Sequence, residues 1–204
     1  MVTIKKKTVK RVVSIIILLL VAYGAYKLFA KPDYPEINTP KPAFGNVKAA
    51  VHIIEFSDLQ CPACKAAHPM VEQIKNEFGD TISFQYYHFP LRTVHPYAQK
   101  AAEAVECAND QGKFWEYIDA AFAQSPSLQN KNLKIIATQL GLDTEPFDAC
   151  LDSGAKRKVV EGDLRLGGVR DVQGTPTFFI NNRKVENWNT LRAEIERELN
   201  TINS

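Results

Sequence analysis

Acidic residues are missing from the first thirty positions of this 204-residue chain, where Lys5, Lys6, Lys7, Lys10 and Arg11 precede an apolar run from Val12 to Tyr26. A stretch of that composition is not the start of a soluble core; it reads as an export or anchor segment. From Val12 to Ala30 a helix would be roughly 28 Å long at about 1.5 Å per residue, close to the hydrocarbon thickness of a bilayer, with Lys27 placed to snorkel. An uncleaved single-pass anchor over residues 1–30 is the favoured expectation, and a signal peptide with Ala22-Tyr23-Gly24 as its cleavage site is the other reading. Either way the basic flank stays in the cytoplasm and the rest is exported.

The formal net charge of +2 conceals a second absence. Six of the basic residues, the five above and Lys27, lie in the first thirty, so the exported part carries −4. It has no basic stripe, which excludes nucleic acid as a partner. Internal repeats and low-complexity tracts are missing too, which leaves one ordinary domain, residues 44–204, with enough chain for a real core. Between anchor and domain, residues 31–43 carry Pro32, Pro35, Pro40 and Pro42 and are expected to form an extended, semi-rigid linker.

Cysteine is scarce, at four residues. Cys61-Pro62-Ala63-Cys64 is a C-x-x-C that follows an apolar run and opens a helical one. With two residues between them on a first helical turn, the sulfurs can close a short disulfide ring, and the leading thiol meets unpaired backbone N–H groups that favour a thiolate. Cys61 is therefore the expected nucleophile and Cys64 the resolving thiol, with Pro62 suited to the first helical position. Lys65 rather than His follows Cys64, which excludes a c-type haem site. A zinc half-site is the competing chemistry, with His68 as a third ligand, but no fourth ligand stands at close spacing.

The order of elements supports a thiol site. Ala49 to Phe56 is almost continuously apolar, as in a central strand covered on both faces, and Glu55 is the anomaly within it. Ala67, Met70, Val71, Ile74 and Phe78 mark a helix, which Pro69 should kink. Thr81 to Phe89 alternates as a second strand, parallel to the first. From about residue 92 to 172 the pattern is helical throughout. Thr177–Ile180 and Lys184–Glu186 then form a hairpin about Asn181-Asn182, and a last helix, capped by Asn189 or Thr190, carries Leu191, Ile195, Leu199 and Ile202 on one stripe.

Three stretches in this order carry a family likeness: Glu55-Phe56-Ser57-Asp58-Leu59-Gln60-Cys61-Pro62-Ala63-Cys64, Cys107 to Trp115, and Gly174-Thr175-Pro176-Thr177-Phe178-Phe179-Ile180. With them the chain resembles the DsbA-like thiol-disulfide oxidoreductases of the thioredoxin superfamily over roughly Phe44 to Asn200. The resemblance implies an α/β fold, a thioredoxin-like core with an inserted α-helical domain, preceded by the transmembrane or signal helix. It implies that Pro176 is a cis-proline facing the dithiol, that Gly174, Thr175 and Pro176 line the substrate site, and that Glu55 is a buried acid beneath Cys64. Ala63 stands where the best-known oxidases carry His, so a less depressed Cys61 pKa and a less extreme oxidant are expected. Thr175 adds a hydroxyl near the thiolate.

Cys107 and Cys150 are expected to pair as a structural disulfide, with two buried thiols or a regulatory pair as the alternatives. The implied function is a dithiol oxidase that introduces disulfides into exported proteins. A reductase or isomerase on the same fold, or a non-enzymatic metal-binding envelope module, is the alternative. The implied partners are exported proteins with cysteines and a membrane quinone-linked thiol oxidase of DsbB or VKOR type; no soluble cofactor or metal is implied. A monomer in the cytoplasmic (inner) membrane, with its catalytic domain outside, is expected. If the segment is cleaved, the protein is periplasmic or secreted.

Overall fold

A computed structural model describes the backbone of residues 6–29 and 41–202, and side chains over 13–24 and 41–202. The chain divides into two compact units, Met1–Asp33 and Tyr34–Ser204. The first is helix α1 (Lys6–Phe29). Among the described residues no helix is long and apolar enough to cross a membrane. Much of the expected anchor, and of the linker before Lys41, lies outside the residues whose side chains are described.

The second unit runs β1 (Ala43–Gly45), β2 (Val51–Ser57), α2 (Pro62–Phe78), β3 (Ile82–His88), α3 (Ala98–Asn109), α4 (Phe114–Gln124), α5 (Asn130–Gln139), α6 (Thr144–Ser153), α7 (Arg157–Val169), β4 (Thr177–Ile180), β5 (Arg183–Lys184) and α8 (Leu191–Ile202). The strands form one sheet in the order β1-β3-β2-β4-β5. β2 and β3 are parallel, joined across α2, while β1, β4 and β5 each pair antiparallel. Alternation along β2 divides its side chains between the faces. Val51 and Ile53 pack with Val71 and Ile74 of α2 and with Leu191 and Ile195 of α8. Ile54 and Phe56 turn to the other face, with Tyr87, Phe179 and the Leu166 side chain of α7.

β1 was not expected. It is a three-residue edge strand where the sequence reads as the end of the linker, and it is shaped by Gly45 at φ 83°. A Cβ there would lie 2.4 Å from the Gly79 carbonyl oxygen, so only glycine lets the two backbones approach. Just before it, the Lys41 side chain is buried, its Nζ 2.5 Å from Glu106 and 2.7 Å from Asp163. Burial alone would raise the Glu106 carboxyl, but His88 and Lys41 overcome it and hold its pKa at about 2.

The last helix also begins differently. Asn187, not Asn189 or Thr190, caps a short 3₁₀ turn over Trp188–Thr190, from which α8 continues. Pro69 lies inside α2, which continues unbroken to Phe78. Helices α3 to α6 enclose a core of their own, built on Val105, Phe114, Tyr117, Ile118, Leu133 and Phe147. That core is continuous with Leu59, Cys61, Cys64 and Tyr86, so the helical insertion packs directly against the start of α2.

Candidate active site

Cys61 is the N-cap residue of α2 in an extended conformation, φ −71° and ψ 124°, and Pro62 follows at the first helical position. At this place the backbone N–H groups of Ala63 and Cys64 have no helical partner and point toward the Cys61 sulfur. Both cysteines are free thiols and buried. Their environments differ. The Cys61 pKa falls from 9.0 to about 5, first because the Cys64 thiol donates to its sulfur, then through Thr175 and the helix N–H groups, against the opposing effect of burial. Cys64, 0% exposed, moves strongly the other way, because desolvation and the neighbouring Cys61 sulfur both disfavour its charge. The backbone N–H of Asp58 donates to its sulfur at 3.4 Å.

The Thr175–Pro176 bond is cis, and the Thr175 carbonyl oxygen lies 3.5 Å from Cys61 Sγ. That oxygen can only accept, so the contact favours the thiol form. The Thr175 hydroxyl acts in the opposite sense: Oγ1 is buried without a hydrogen bond of good geometry, stands in range of Cys61, and lowers its pKa. Gly174 is near in another way, its carbonyl accepting from Thr177 Oγ1 at 2.8 Å and closing the turn that carries Pro176. The structure therefore brings Cys61, Cys64, Thr175 and Pro176 together with Gly174 in their supporting loop.

Beneath the dithiol, strand alternation places Glu55 and Ser57 on the face that α2 covers, with Tyr86 opposite Glu55 in register on β3. Glu55 is 3% exposed. Desolvation raises its pKa from 4.5 to about 7, against smaller opposing effects of Ser57, His68 and Lys75. Ser57 Oγ lies within range of both Glu55 and Cys64 but has no hydrogen bond of good geometry, and Tyr86 Oη likewise has none. Ser57 thus stands in range of both an acid raised to about 7 and the Cys64 thiol, whose other neighbour, Cys61, is lowered to about 5.

Several supporting residues were not foreseen. The Asp58 carboxylate is buried and accepts from Gln60 N at 2.7 Å, Leu91 N at 2.8 Å and His95 Nδ1 at 2.7 Å, so it folds the turn that presents Cys61. An Asp two residues before a polar residue is a recognisable Asx-turn signal. Gln60 and Lys65, which bracket the dithiol, both reach a second cis bond, Ser125–Pro126 in the insertion. Lys65 Nζ donates to the Ser125 carbonyl at 2.5 Å and Gln60 Nε2 to that of Pro126 at 3.4 Å. Partners more than fifty positions apart leave no local signal. Cys107 of α3 and Cys150 of α6 form a disulfide within the insertion, and Cys107 belongs to the same core as Cys61 and Cys64. His68 packs on Phe122, ring centroids 4.5 Å apart, with Nε2 3.2 Å from Asp119.

A dithiol at a helix N-terminus, set against a cis-proline loop on a sheet of this topology, is the arrangement of a thioredoxin-like fold. Comparison with known proteins supplies the family: residues 38–197 match the family model described as Thioredoxin, and the chain belongs to that family. BdbD from Bacillus subtilis, in its oxidised crystal structure, superimposes with a TM-score of 0.73 at 25% identity, over 84% of this chain and 98% of BdbD. The thiol-disulfide exchange protein α-DsbA2 from Wolbachia pipientis shares the fold, with a TM-score of 0.68 at 22% identity over 78% of this chain and 88% of that one. Among curated proteins, the Na⁺/H⁺ antiporter NhaA 1 of Salinispora arenicola is 37% identical over 153 residues, 75% of this chain and 22% of the antiporter. The antiporter NhaA of Herminiimonas arsenicoxydans is 31% identical over 193 residues, 89% of this chain and 31% of its own. The chain thus spans less than a third of the length of these relatives.

Proposed function

We propose that the protein is an extracytoplasmic dithiol oxidase, held at the cytoplasmic membrane by residues 1–30 and acting as a monomer on exported proteins with cysteines. The observation that carries this reading is the asymmetry of the two sulfurs. Cys61 is stabilised as a thiolate, which favours the reduced enzyme over its disulfide and so makes the disulfide an oxidant.

In the oxidising half-reaction a substrate thiolate attacks Cys61 Sγ of the Cys61–Cys64 disulfide. The new bond joins substrate sulfur to Cys61, and the electron pair of the broken bond passes to Cys64. Cys64 is poorly suited to keep that charge, and Glu55, protonated below about pH 7, supplies the proton from beneath. A second substrate thiolate then attacks the substrate sulfur of the mixed disulfide, Cys61 leaves as thiolate, and the substrate departs with its disulfide formed. Two electrons have moved from the substrate to the enzyme, which is left with Cys64 as a thiol and Cys61 as a thiolate; the substrate's two protons pass to solvent, from which Glu55 is reprotonated. Residues Gly174, Thr175 and Pro176 hold the substrate's extended backbone, since a cis-proline turns the chain and leaves the neighbouring backbone groups facing the dithiol. A quinone-linked membrane thiol oxidase of DsbB or VKOR type returns the dithiol to the disulfide.

Rapid acid quenching of cells, followed by alkylation with a mass-shifting thiol reagent, tests the direction. An oxidase has Cys61 and Cys64 mostly in the disulfide form at steady state. A mostly dithiol population overturns the oxidase reading in favour of a reductase.

A further inference from the structure

We propose that His68, Glu72 and Asp119 form a binding site for a divalent transition-metal ion of the zinc class, joining the dithiol helix to the helical insertion. His68 and Glu72 lie four residues apart on α2, so both project from one face one turn apart, and Asp119 meets them from α4. A ligand atom from each of the three lies within 4.8 Å of the others. In a tetrahedral zinc site with bonds of about 2.0–2.1 Å, neighbouring ligand atoms stand about 3.3 Å apart. His68 Nε2 and Asp119 Oδ1 are already at 3.2 Å, so it is Glu72, within 4.8 Å of both, that has to draw in.

The donors are prepared in different ways. The His68 ring is held against Phe122, which fixes the direction of Nε2. Asp119 Oδ1 is shielded from solvent but makes no hydrogen bond of good geometry, although the residue's other atoms reach water. Glu72 accepts from Lys75 Nζ at 2.7 Å through one of its two oxygens. Lys75 is itself held between the rings of Phe44 and Trp115, at 4.6 and 4.5 Å, so its charge stays beside the site and limits affinity without filling it. Imidazole with two carboxylates is a zinc-type donor set, and the partial exposure of all three residues leaves a coordination position for water.

A second comparable cluster among the described residues differs in this respect. His88, Glu106 and Asp163 are buried, and the Lys41 ammonium already sits between the two acids. There a cation of the chain itself takes the place a metal would need.

The inference does not depend on the direction of electron flow, and its test keeps the two readings apart. Full-length protein in detergent, with Cys61 and Cys64 oxidised to their disulfide so that the thiols cannot capture metal, is titrated with zinc chloride by calorimetry. We expect one zinc per chain, weakened at least about tenfold in each of His68→Ala, Glu72→Gln and Asp119→Asn. Zinc should also raise the thermal midpoint of the parent protein and not that of Asp119→Asn. If loss of the ring beside Phe122 unfolds the His68 variant, Glu72→Gln and Asp119→Asn decide alone, since both side chains are partly exposed. No saturable binding to the oxidised protein, or binding equal in the parent and the foldable variants, overturns the proposal.

Discussion

Two sulfur atoms three residues apart in sequence meet opposite physics. Cys61 collects donors, from Cys64, from the Thr175 hydroxyl and from the helix terminus, whereas Cys64 is enclosed by apolar atoms and by a neighbour that is itself the better anion. The first prediction follows directly. Alkylation of the reduced protein by iodoacetamide, followed at Cys61 by mass spectrometry, should rise with pH through a midpoint near 5 instead of near 9. Thr175→Val should move that midpoint upward by removing a donor to the thiolate. A profile unchanged by the substitution would assign the hydroxyl no part in it. The second concerns Glu55, whose folded pKa of about 7 exceeds its ordinary 4.5. The folded state therefore holds a proton that the unfolded chain has released, and stability present below pH 4.5 is lost as pH rises through 7. Glu55→Gln, isosteric and uncharged, should accordingly be more stable than the parent above pH 7, by up to about 3 kcal/mol at 1.36 kcal/mol per pKa unit, with no gain below pH 4.5. Urea denaturation at pH 8 and pH 4 measures both.

At the scale of elements, the site is a consequence of alternation. Val51, Ile53, Glu55 and Ser57 share one face of β2, so the strand that supplies apolar contacts to the middle of α2 supplies an acid and a hydroxyl under its first turn. That much was legible, because a lone carboxylate in an apolar run has few other places to go. On the opposite face α7 approaches closely enough that a Cβ at Gly167 would lie 2.6 Å from the Phe89 ring and 3.2 Å from Phe56. Gly167→Ala should therefore destabilise the protein by about 1–3 kcal/mol through overpacking, read as a lowered urea midpoint. Strand β1 was not legible: three residues with no alternation to detect are paired only because β3 offers a free edge. Nor was the clasp of Gln60 and Lys65 on the Ser125–Pro126 loop, since only the packing of the insertion brings those carbonyls into range.

The molecule as a whole joins a redox turn to a helical insertion that carries its own covalent tie. Cys107 and Cys150, 43 positions apart, close a loop whose loss should cost about 4 kcal/mol on the chain-entropy estimate. The double variant Cys107→Ser/Cys150→Ser should show that loss in denaturation while the Cys61 alkylation midpoint stays near 5, because neither Cys107 nor Cys150 is among the groups that set the Cys61 pKa. A shifted midpoint would instead make the pair a regulator of the site. The helical periodicity of residues 98–169 was readable from sequence because each helix buries one apolar stripe, whereas the burial of Lys41 was not, since its two acids come from α3 and α7.

The direction in which the protein passes electrons depends on how strongly the folded chain prefers its dithiol to its disulfide. Equilibration of the Cys61–Cys64 pair with glutathione buffers, read by alkylation, gives that preference as a reduction potential. A stabilised Cys61 thiolate predicts an oxidising value, between about −120 and −180 mV; a value near −270 mV, that of a thioredoxin-type reductant, would contradict it.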